Sequence, residues 1–241
     1  MSNFLRYGDL VSFRFEGGLS LDKGQGPAGS IGFISGTGFL DPRIYMQTVK
    51  WEGGQANPDQ LPNLTNYREF IFRITPKLNF EFHKDYKKTL TQYQKFMKQL
   101  NLKKEVSKDR LEIKKNYEEK LVKLKERVSK EKILNEQVIA SSSGSFLNYG
   151  NEIQLMHRDS GYFVHALDEC SQTKKIGYYC ALSNWFSTRM VFQILPRFKS
   201  REVGDYIQSS EHVLLKNTYN MCFINFVEEK TEIYTESADH P

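Results

Sequence analysis

The chain has 241 residues, 39% of them hydrophobic, with 34 Lys and Arg against 29 Asp and Glu. That length makes one large domain or two small ones and buries about 70–75% of the surface the unfolded chain exposes, so folding needs no staples. Cys170, Cys180 and Cys222 form no Cys-x-x-Cys and leave an odd thiol, which argues against a disulfide framework or a zinc site and fits a reducing compartment. The first thirty residues hold Arg6, Asp9, Arg14, Glu16 and Asp22, and no apolar run reaches the length of a signal peptide or a membrane span. The expectation is a soluble chain that is not secreted, on which the sequon Asn63-Leu64-Thr65 stays idle. The net charge of +5 is unevenly placed: residues 83–137 carry 17 basic and 9 acidic side chains, and the remainder 17 and 20. A basic pI is therefore no argument that the larger part of the chain binds nucleic acid.

The chain opens with Tyr7-Gly8-Asp9-Leu10-Val11-Ser12-Phe13. The Gly-Asp pair supplies a turn, and the alternation that follows puts every second side chain on the buried face of a strand. Residues 16–30, with five glycines and Pro27, predict a loop, and they lack the Gly-Lys-Ser/Thr ending of a phosphate loop. Gly32-Phe33-Ile34-Ser35-Gly36-Thr37-Gly38-Phe39-Leu40 predicts hairpin strands, Ile44-Tyr45-Met46-Gln47 continues as strand, and residues 53–62 are loop. Glu69-Phe70-Ile71-Phe72-Arg73-Ile74 returns to strand until Pro76.

From Phe82 to Ala140 there is no Gly or Pro, and Lys, Glu, Gln and Leu dominate. Tyr86, Leu90, Tyr93, Met97 and Leu100 form one helical stripe; Tyr117, Leu121, Leu124 and Val128 form another in a different register. The spacing predicts two antiparallel helices of about 20–25 residues, some 30–40 Å long, with a break at residues 101–108 and a capping box at Asp109-Arg110-Leu111-Glu112. One long helix with a stutter is the alternative, since no glycine enforces a turn.

Strand character returns at Phe146, and Asn148-Tyr149-Gly150-Asn151-Glu152-Ile153-Gln154-Leu155-Met156-His157 repeats the opening motif. After the turn Arg158–Gly161, a second strand runs from Gly161 to Ala166. The stretch from Ser187 to Pro196, ending Phe192-Gln193-Ile194-Leu195-Pro196, then echoes Phe70 to Pro76, each with Phe-x-Ile followed within two residues by proline. A third copy of the opening motif is read at Val203-Gly204-Asp205-Tyr206-Ile207-Gln208, but no third Phe-x-Ile strand follows; Thr231-Glu232-Ile233-Tyr234 is a disguised candidate. Three turn-then-strand units predict a closed, pseudo-threefold β head of the β-trefoil kind. The head spans 1–81 and 141–241 of a single 1–241 domain, interrupted after its first repeat by a helix-turn-helix arm at 82–140.

These motifs together resemble the N-terminal domain of the inositol trisphosphate and ryanodine receptors, the intracellular calcium-release channels. The resemblance rests on Leu5-Arg6-Tyr7-Gly8-Asp9, on Gly32-Phe33-Ile34-Ser35 with Gly38 and Asp41-x-Arg43, on Tyr149 to His157 with Ser160 and Tyr162, and on Phe192 to Pro196 running through Lys199 and Arg201 to Gly204-Asp205. It implies an N-terminal segment of a larger tetrameric channel at the cytoplasmic face of the endoplasmic reticulum or a related calcium-store membrane. In such a channel a second trefoil and a helical domain downstream hold the ligand through Arg and Lys. The first domain lowers ligand affinity and passes the signal to neighbouring subunits, with no cofactor. It further implies an inter-domain and inter-subunit contact in the loop Pro196 to Arg201, at Phe198, Lys199 and Arg201. Phe198 replaces a tyrosine of the inositol trisphosphate receptors, which loses a hydroxyl. The Gly-rich insertion at 16–30 and the longer arm are further departures.

No catalytic or metal constellation emerges. The five histidines make no His-x-x-x-His, His157 and His165 read as a structural pair across a hairpin, and there is no Gly-x-Ser-x-Gly elbow. A sugar-binding trefoil would carry Gln-x-Trp, and neither Trp51 nor Trp185 does. The expectation is a non-enzymatic regulatory domain whose partners are downstream domains and neighbouring subunits, with no nucleic-acid partner and no membrane insertion. The alternative is a ligand- or glycan-binding head with an oligomerising arm.

Overall fold

The computed structural model of the protein describes residues 3–16, 31–37, 42–49, 67–101, 108–170, 178–184, 187–227 and 232–236. The expected loop at 16–30, apart from Glu16, which ends a strand instead, and the expected loop at 53–62, with Phe39, Leu40, Trp51 and Trp185, lie outside them. The chain divides into two compact units, Met1–Lys77 with Ser143–Asn184 and Thr188–Pro241, and Leu78–Ser142 with Trp185–Ser187.

The first unit is a head of antiparallel β-strands. In chain order they are β1 Leu10–Val11, β2 Arg14–Glu16, β3 Ile31–Ser35, β4 Tyr45–Val49, β5 Phe72–Pro76, β6 Glu152–His157, β7 Phe163–Cys170, β8 Tyr178–Ser183, β9 Phe192–Pro196, β10 Val213–Asn217, β11 Phe223–Val227 and β12 Glu232–Glu236. The two Phe-x-Ile-x-Pro strands act alike. Phe72, Ile74 and Pro76 of β5 stand opposite His157, Leu155 and Ile153 of β6. Phe192, Ile194 and Pro196 of β9 stand opposite Asn217, Leu215 and Val213 of β10. Phe72 and Phe192 are fully buried, each contributing about 2–3 kcal/mol of apolar burial.

A cyclic set of backbone hydrogen bonds joins the three repeats: Leu5 N–H donates to Ile207 O at 2.8 Å, Ile207 N–H to Leu147 O at 3.0 Å, and Leu147 N–H to Leu5 O at 2.8 Å. One residue earlier, the rings of Phe4, Phe146 and Tyr206 meet one another at 5.1–5.9 Å. One residue later, each copy makes the same turn, in which the amides of Arg6, Asn148 and Gln208 donate to the side chains of Asp9, Asn151 and Glu211 at 2.8–2.9 Å. The order extends outward, for Phe33, Phe163 and Phe223 hold corresponding positions opposite Arg14, Met156 and Lys216.

This geometry corrects the register of the third repeat. Ser209-Ser210-Glu211, and not Val203-Gly204-Asp205, occupies the place of Tyr7-Gly8-Asp9. Gly204 instead matches Gly144: Gly144 N–H donates to Tyr7 O and Gly204 N–H to Tyr149 O, both at 2.9 Å. The Gly-Asp signature misled because Glu211 reaches the turn amide as Asp9 does, while Ser210 holds the turn without the positive φ that Gly8 and Gly150 adopt. A second correction concerns β12, which pairs with β11, β8 and β4. Those are hairpin strands, so Glu232–Glu236 is the third strand of its repeat and not a disguised Phe-x-Ile strand. A third correction is that residues 67–70 form a 3-10 turn and β5 begins only at Phe72. Phe70, Ile71 and Phe72 are all buried, which a half-buried strand cannot achieve. The echo is faithful, for the 3-10 turn Thr188–Met190 precedes β9 in the same way.

The second unit contains α1 Glu81–Asn101 and α2 Lys108–Ser142. At 35 residues α2 exceeds the expected length, because nothing stops it before Gly144. It starts at Lys108, so Asp109 lies in the first turn, where its charge favours the helix N-terminus. Tyr117 stacks near Tyr93 and Phe96, and Tyr93 Oη donates to Glu118 at 2.8 Å. Continued at the same spacing, the α2 stripe lands on Glu131 and Asn135, both buried. The Glu131 carboxylate accepts the amides of Phe82 and His83, each at 3.0 Å, which satisfies donors left open in the first turn of α1. Asn135 closes both backbone groups of Asn79.

Met221 is the one non-glycine at positive φ among the described residues, at 60°, and it corresponds to Gly161, at 67°. Its side chain is exposed, so replacement by glycine removes left-handed strain with little loss of burial. Met221→Gly is expected to stabilise the protein by about 0.5–1 kcal/mol in urea unfolding.

Candidate functional site

The loop between β9 and the third repeat, Pro196 to Asp205, holds the three residues that the resemblance singles out. Phe198 is 56% exposed and Lys199 is exposed as well. Phe198 is nonetheless held, with its ring edge-on to His212 at 5.6 Å and the Arg197 guanidinium 5.8 Å from its centroid. A backbone bond from Arg201 N–H to Phe198 O closes the tip as a tight turn.

Arg201 differs from the other two. Its guanidinium is half-buried and forms an ion pair with Glu211 through Nε and Nη2. Glu211 thus serves three partners: Arg201, the Gln208 amide at 2.9 Å, and the Tyr149 hydroxyl, which donates to it at 3.2 Å. Asn148 Nδ2 donates to Gly204 O at 2.6 Å, and Tyr149 N–H to Asp205 O at 2.9 Å, so the far end of the loop is sewn to the second repeat. Val203 covers Gly150 so closely that a Cβ there would lie 2.5 Å from its methyl carbon. The structure therefore presents Phe198 and Lys199 outward and uses Arg201 inward.

The electrostatics follow from this sharing. Burial, with the Glu211 charge beside it, pushes the Tyr149 phenol up to about 12, so it stays a hydrogen-bond donor. For Glu211, burial works to raise the pKa but is outweighed by the Gln208 amide, the Arg201 charge and hydrogen bond, and the Tyr149 hydroxyl; the net result lies below the usual value of 4.5.

Sequence reasoning missed Tyr149 and Glu211 as members of this site. Their signal is the Gly-Asp turn itself, once Glu211 is aligned with Asp9. Elsewhere, His157 is buried and its Nδ1 lies 2.8 Å from Ser160 Oγ, while its pKa is lowered by burial. No group of three or more His, Cys, Asp or Glu among the described residues could hold a metal ion. On α2, Lys114, Lys115 and Lys132 lie 3.7–4.0 Å from Glu118, Glu119 and Glu136. These exposed pairs are worth about 0.3 kcal/mol each and dilute the basic field of the arm. No helix among the described residues is long and apolar enough to cross a membrane.

An antiparallel β head with a two-helix unit defines a mainly β domain with inserted helices. The family model of the inositol 1,4,5-trisphosphate/ryanodine receptor matches residues 1–236, and the chain belongs to that family. It is a family of receptor channels and not a known enzyme family, and the chain corresponds to its N-terminal domain.

Because the folded-state pKa of Glu211 is depressed, its contribution is complete above about pH 4.5 and is lost as pH falls through the folded value. At neutral pH, Glu211→Gln is expected to cost about 1.5–3 kcal/mol in urea unfolding. The gap between variant and parent should narrow as pH drops from about 5 towards 3; a gap that does not change with pH contradicts the assignment.

Proposed function

We propose that this chain is the β-trefoil head, with inserted helical arm, of an intracellular calcium-release channel, and that it acts without catalysis or cofactor. It stands at the cytoplasmic face of a calcium-store membrane, lowers the ligand affinity of downstream domains and couples their occupancy to gating across neighbouring subunits of a tetramer. The cyclic bonds of Leu5, Leu147 and Ile207 support the trefoil. The observation that carries the role is the presentation of Phe198 and Lys199 on a loop whose base is fixed by Arg201, Glu211 and Tyr149. A pre-ordered aromatic and cationic tip loses little entropy on contact, and exposed aromatic residues next to basic ones are common anchors. In this reading Phe198 and Lys199 make the contact, and Arg201 positions them.

The alternative, a ligand- or glycan-binding head with an oligomerising arm, has one observation in its favour. Leu111, Val122 and Ile133 on α2 are each more than half exposed and recur every eleven residues, along one face. A stable dimer that is lost when a short linker replaces the arm would select it.

In the full-length receptor, Phe198→Ala with Lys199→Glu is expected to weaken ligand-evoked calcium release by about fivefold or more. Ligand binding should not weaken. Unchanged release contradicts the contact. The chain alone should bind inositol trisphosphate no tighter than about millimolar by calorimetry, and tighter binding removes the proposed regulatory role.

A further inference from the structure

The tip between β9 and the third repeat carries a residue that the contact role leaves unused. Arg197-Phe198-Lys199-Ser200-Arg201 sets Ser200 three positions after one arginine and directly before another, with a lysine at its N-terminal side. No other arginine in the chain has Ser or Thr three positions on. Other hydroxyls near basic residues are placed differently. Thr91 follows Lys88 and Ser129 follows Arg127, but both lie inside helices, where they donate to the carbonyls of Lys87 and Lys125 at 3.0 and 3.1 Å. Ser160 follows Arg158, and its Oγ is engaged with His157 Nδ1 at 2.8 Å.

Ser200 stands where a segment can be drawn out. β9 ends at Pro196, and residues 197–200 are all exposed. The turn at the tip is closed by the Arg201 N–H bond to Phe198 O, long at 3.3 Å, so extending residues 197–200 opens neither a ladder nor the core. Behind the tip, Arg201 stays anchored by its ion pair with Glu211.

We propose that Ser200 is a phosphorylation site for an arginine-directed Ser/Thr protein kinase, and that the phosphate switches off the contact made by the Phe198–Lys199 tip. The second half rests on the contact role proposed above, and the first half does not. Arg197 offers the kinase a guanidinium for its carboxylates. Ser200 Oγ attacks the γ-phosphorus of ATP; the Oγ–P bond forms, the bond from that phosphorus to the bridging oxygen breaks, ADP leaves, and the serine proton passes to the kinase's catalytic aspartate. The product changes the electrostatics of the tip. Arg197, Lys199 and Arg201 bring three positive charges, of which that of Arg201 is already met by Glu211. A phosphoserine carries about −1.5 to −2 at pH 7 and offsets the other two. Glu211 holds Arg201 along its Nε and Nη2 edge. A guanidinium has five N–H donors, so the Nη1 edge can take the neighbouring phosphate without displacing Glu211. The base of the loop is kept while the charge it presents is cancelled.

The test offers the folded 241-residue chain and a synthetic peptide of residues 193–204 to arginine-directed kinases, including the catalytic subunit of the cyclic-AMP-dependent enzyme, with radiolabelled ATP. Tandem mass spectrometry locates the phosphate. The folded chain should take up about one phosphate, at Ser200, with kcat/KM within about tenfold of the peptide. Ser200→Ala should abolish the labelling, and Arg197→Gln should lower kcat/KM by about tenfold or more. Refusal of both substrates overturns the site, as does labelling that persists in Ser200→Ala or that reaches Ser200 only in the denatured chain. In the full-length receptor, phosphorylation at Ser200 should lower ligand-evoked calcium release by about fivefold, phosphatase should restore it, and Ser200→Ala should be indifferent to both. A receptor phosphorylated at Ser200 with unchanged release overturns the switch; if Phe198→Ala with Lys199→Glu also leaves release unchanged, the contact role has failed while the modification site stands. A receptor that the double variant weakens but whose Ser200 is refused keeps the contact and loses the site.

Discussion

The head depends on three backbone hydrogen bonds that run in a circle through Leu5, Leu147 and Ile207. These residues are separated by up to about two hundred positions in the chain, with Leu78–Ser142 of the second unit between the first and the second. Each bond is worth only about 1 kcal/mol net, but each closes a long loop, and no one of them is useful without the other two. The aromatic trio of Phe4, Phe146 and Tyr206 and the three capped turns lie directly before and after this circle. The circle, more than any one strand, fixes where the repeats sit within the head.

The loop from Pro196 to Asp205 is tied to that circle chiefly through one side chain, Glu211. Asp9 and Asn151 cap their own turns. Glu211 is one methylene longer than Asp9 and has an oxygen to spare. It caps its turn with one oxygen, which also accepts the Tyr149 hydroxyl, and holds Arg201 with the other. The threefold pattern is broken at this position, and the break ties the Phe198–Lys199 tip to the centre of the head. For the contact role proposed above such a base is an advantage, because a tip on a floppy loop would absorb a displacement before passing it on.

Periodicity made much of this architecture legible. The absence of Gly and Pro with two stripes at 4-3-4 spacing marked the two helices, and the paired Phe-x-Ile-x-Pro segments marked β5 and β9. What failed had physical causes. The third repeat was misaligned because Ser210-Glu211 fills a place that glycine and aspartate fill elsewhere, while a real Gly-Asp pair lies six residues earlier in another role. The strand expected from Glu69 begins late because three consecutive buried residues require a 3-10 turn. The polar continuation of the α2 stripe, Glu131 and Asn135, was visible in the sequence. Its meaning needed the position of the first turn of α1, which no spacing supplies. Phe198 and Lys199 were singled out only through kinship, and the inward bonding of Arg201 emerges only from the structure.

Through-bond NMR couplings across hydrogen bonds report donor and acceptor pairs directly. In a deuterated sample, three correlations should close a circle: Leu5 nitrogen to the Ile207 carbonyl, Ile207 nitrogen to the Leu147 carbonyl, and Leu147 nitrogen to the Leu5 carbonyl. If all three appear, the three-way core of the head is established. If any of these amides couples instead to a carbonyl outside the set, the repeats do not share a common centre and the account built on it fails.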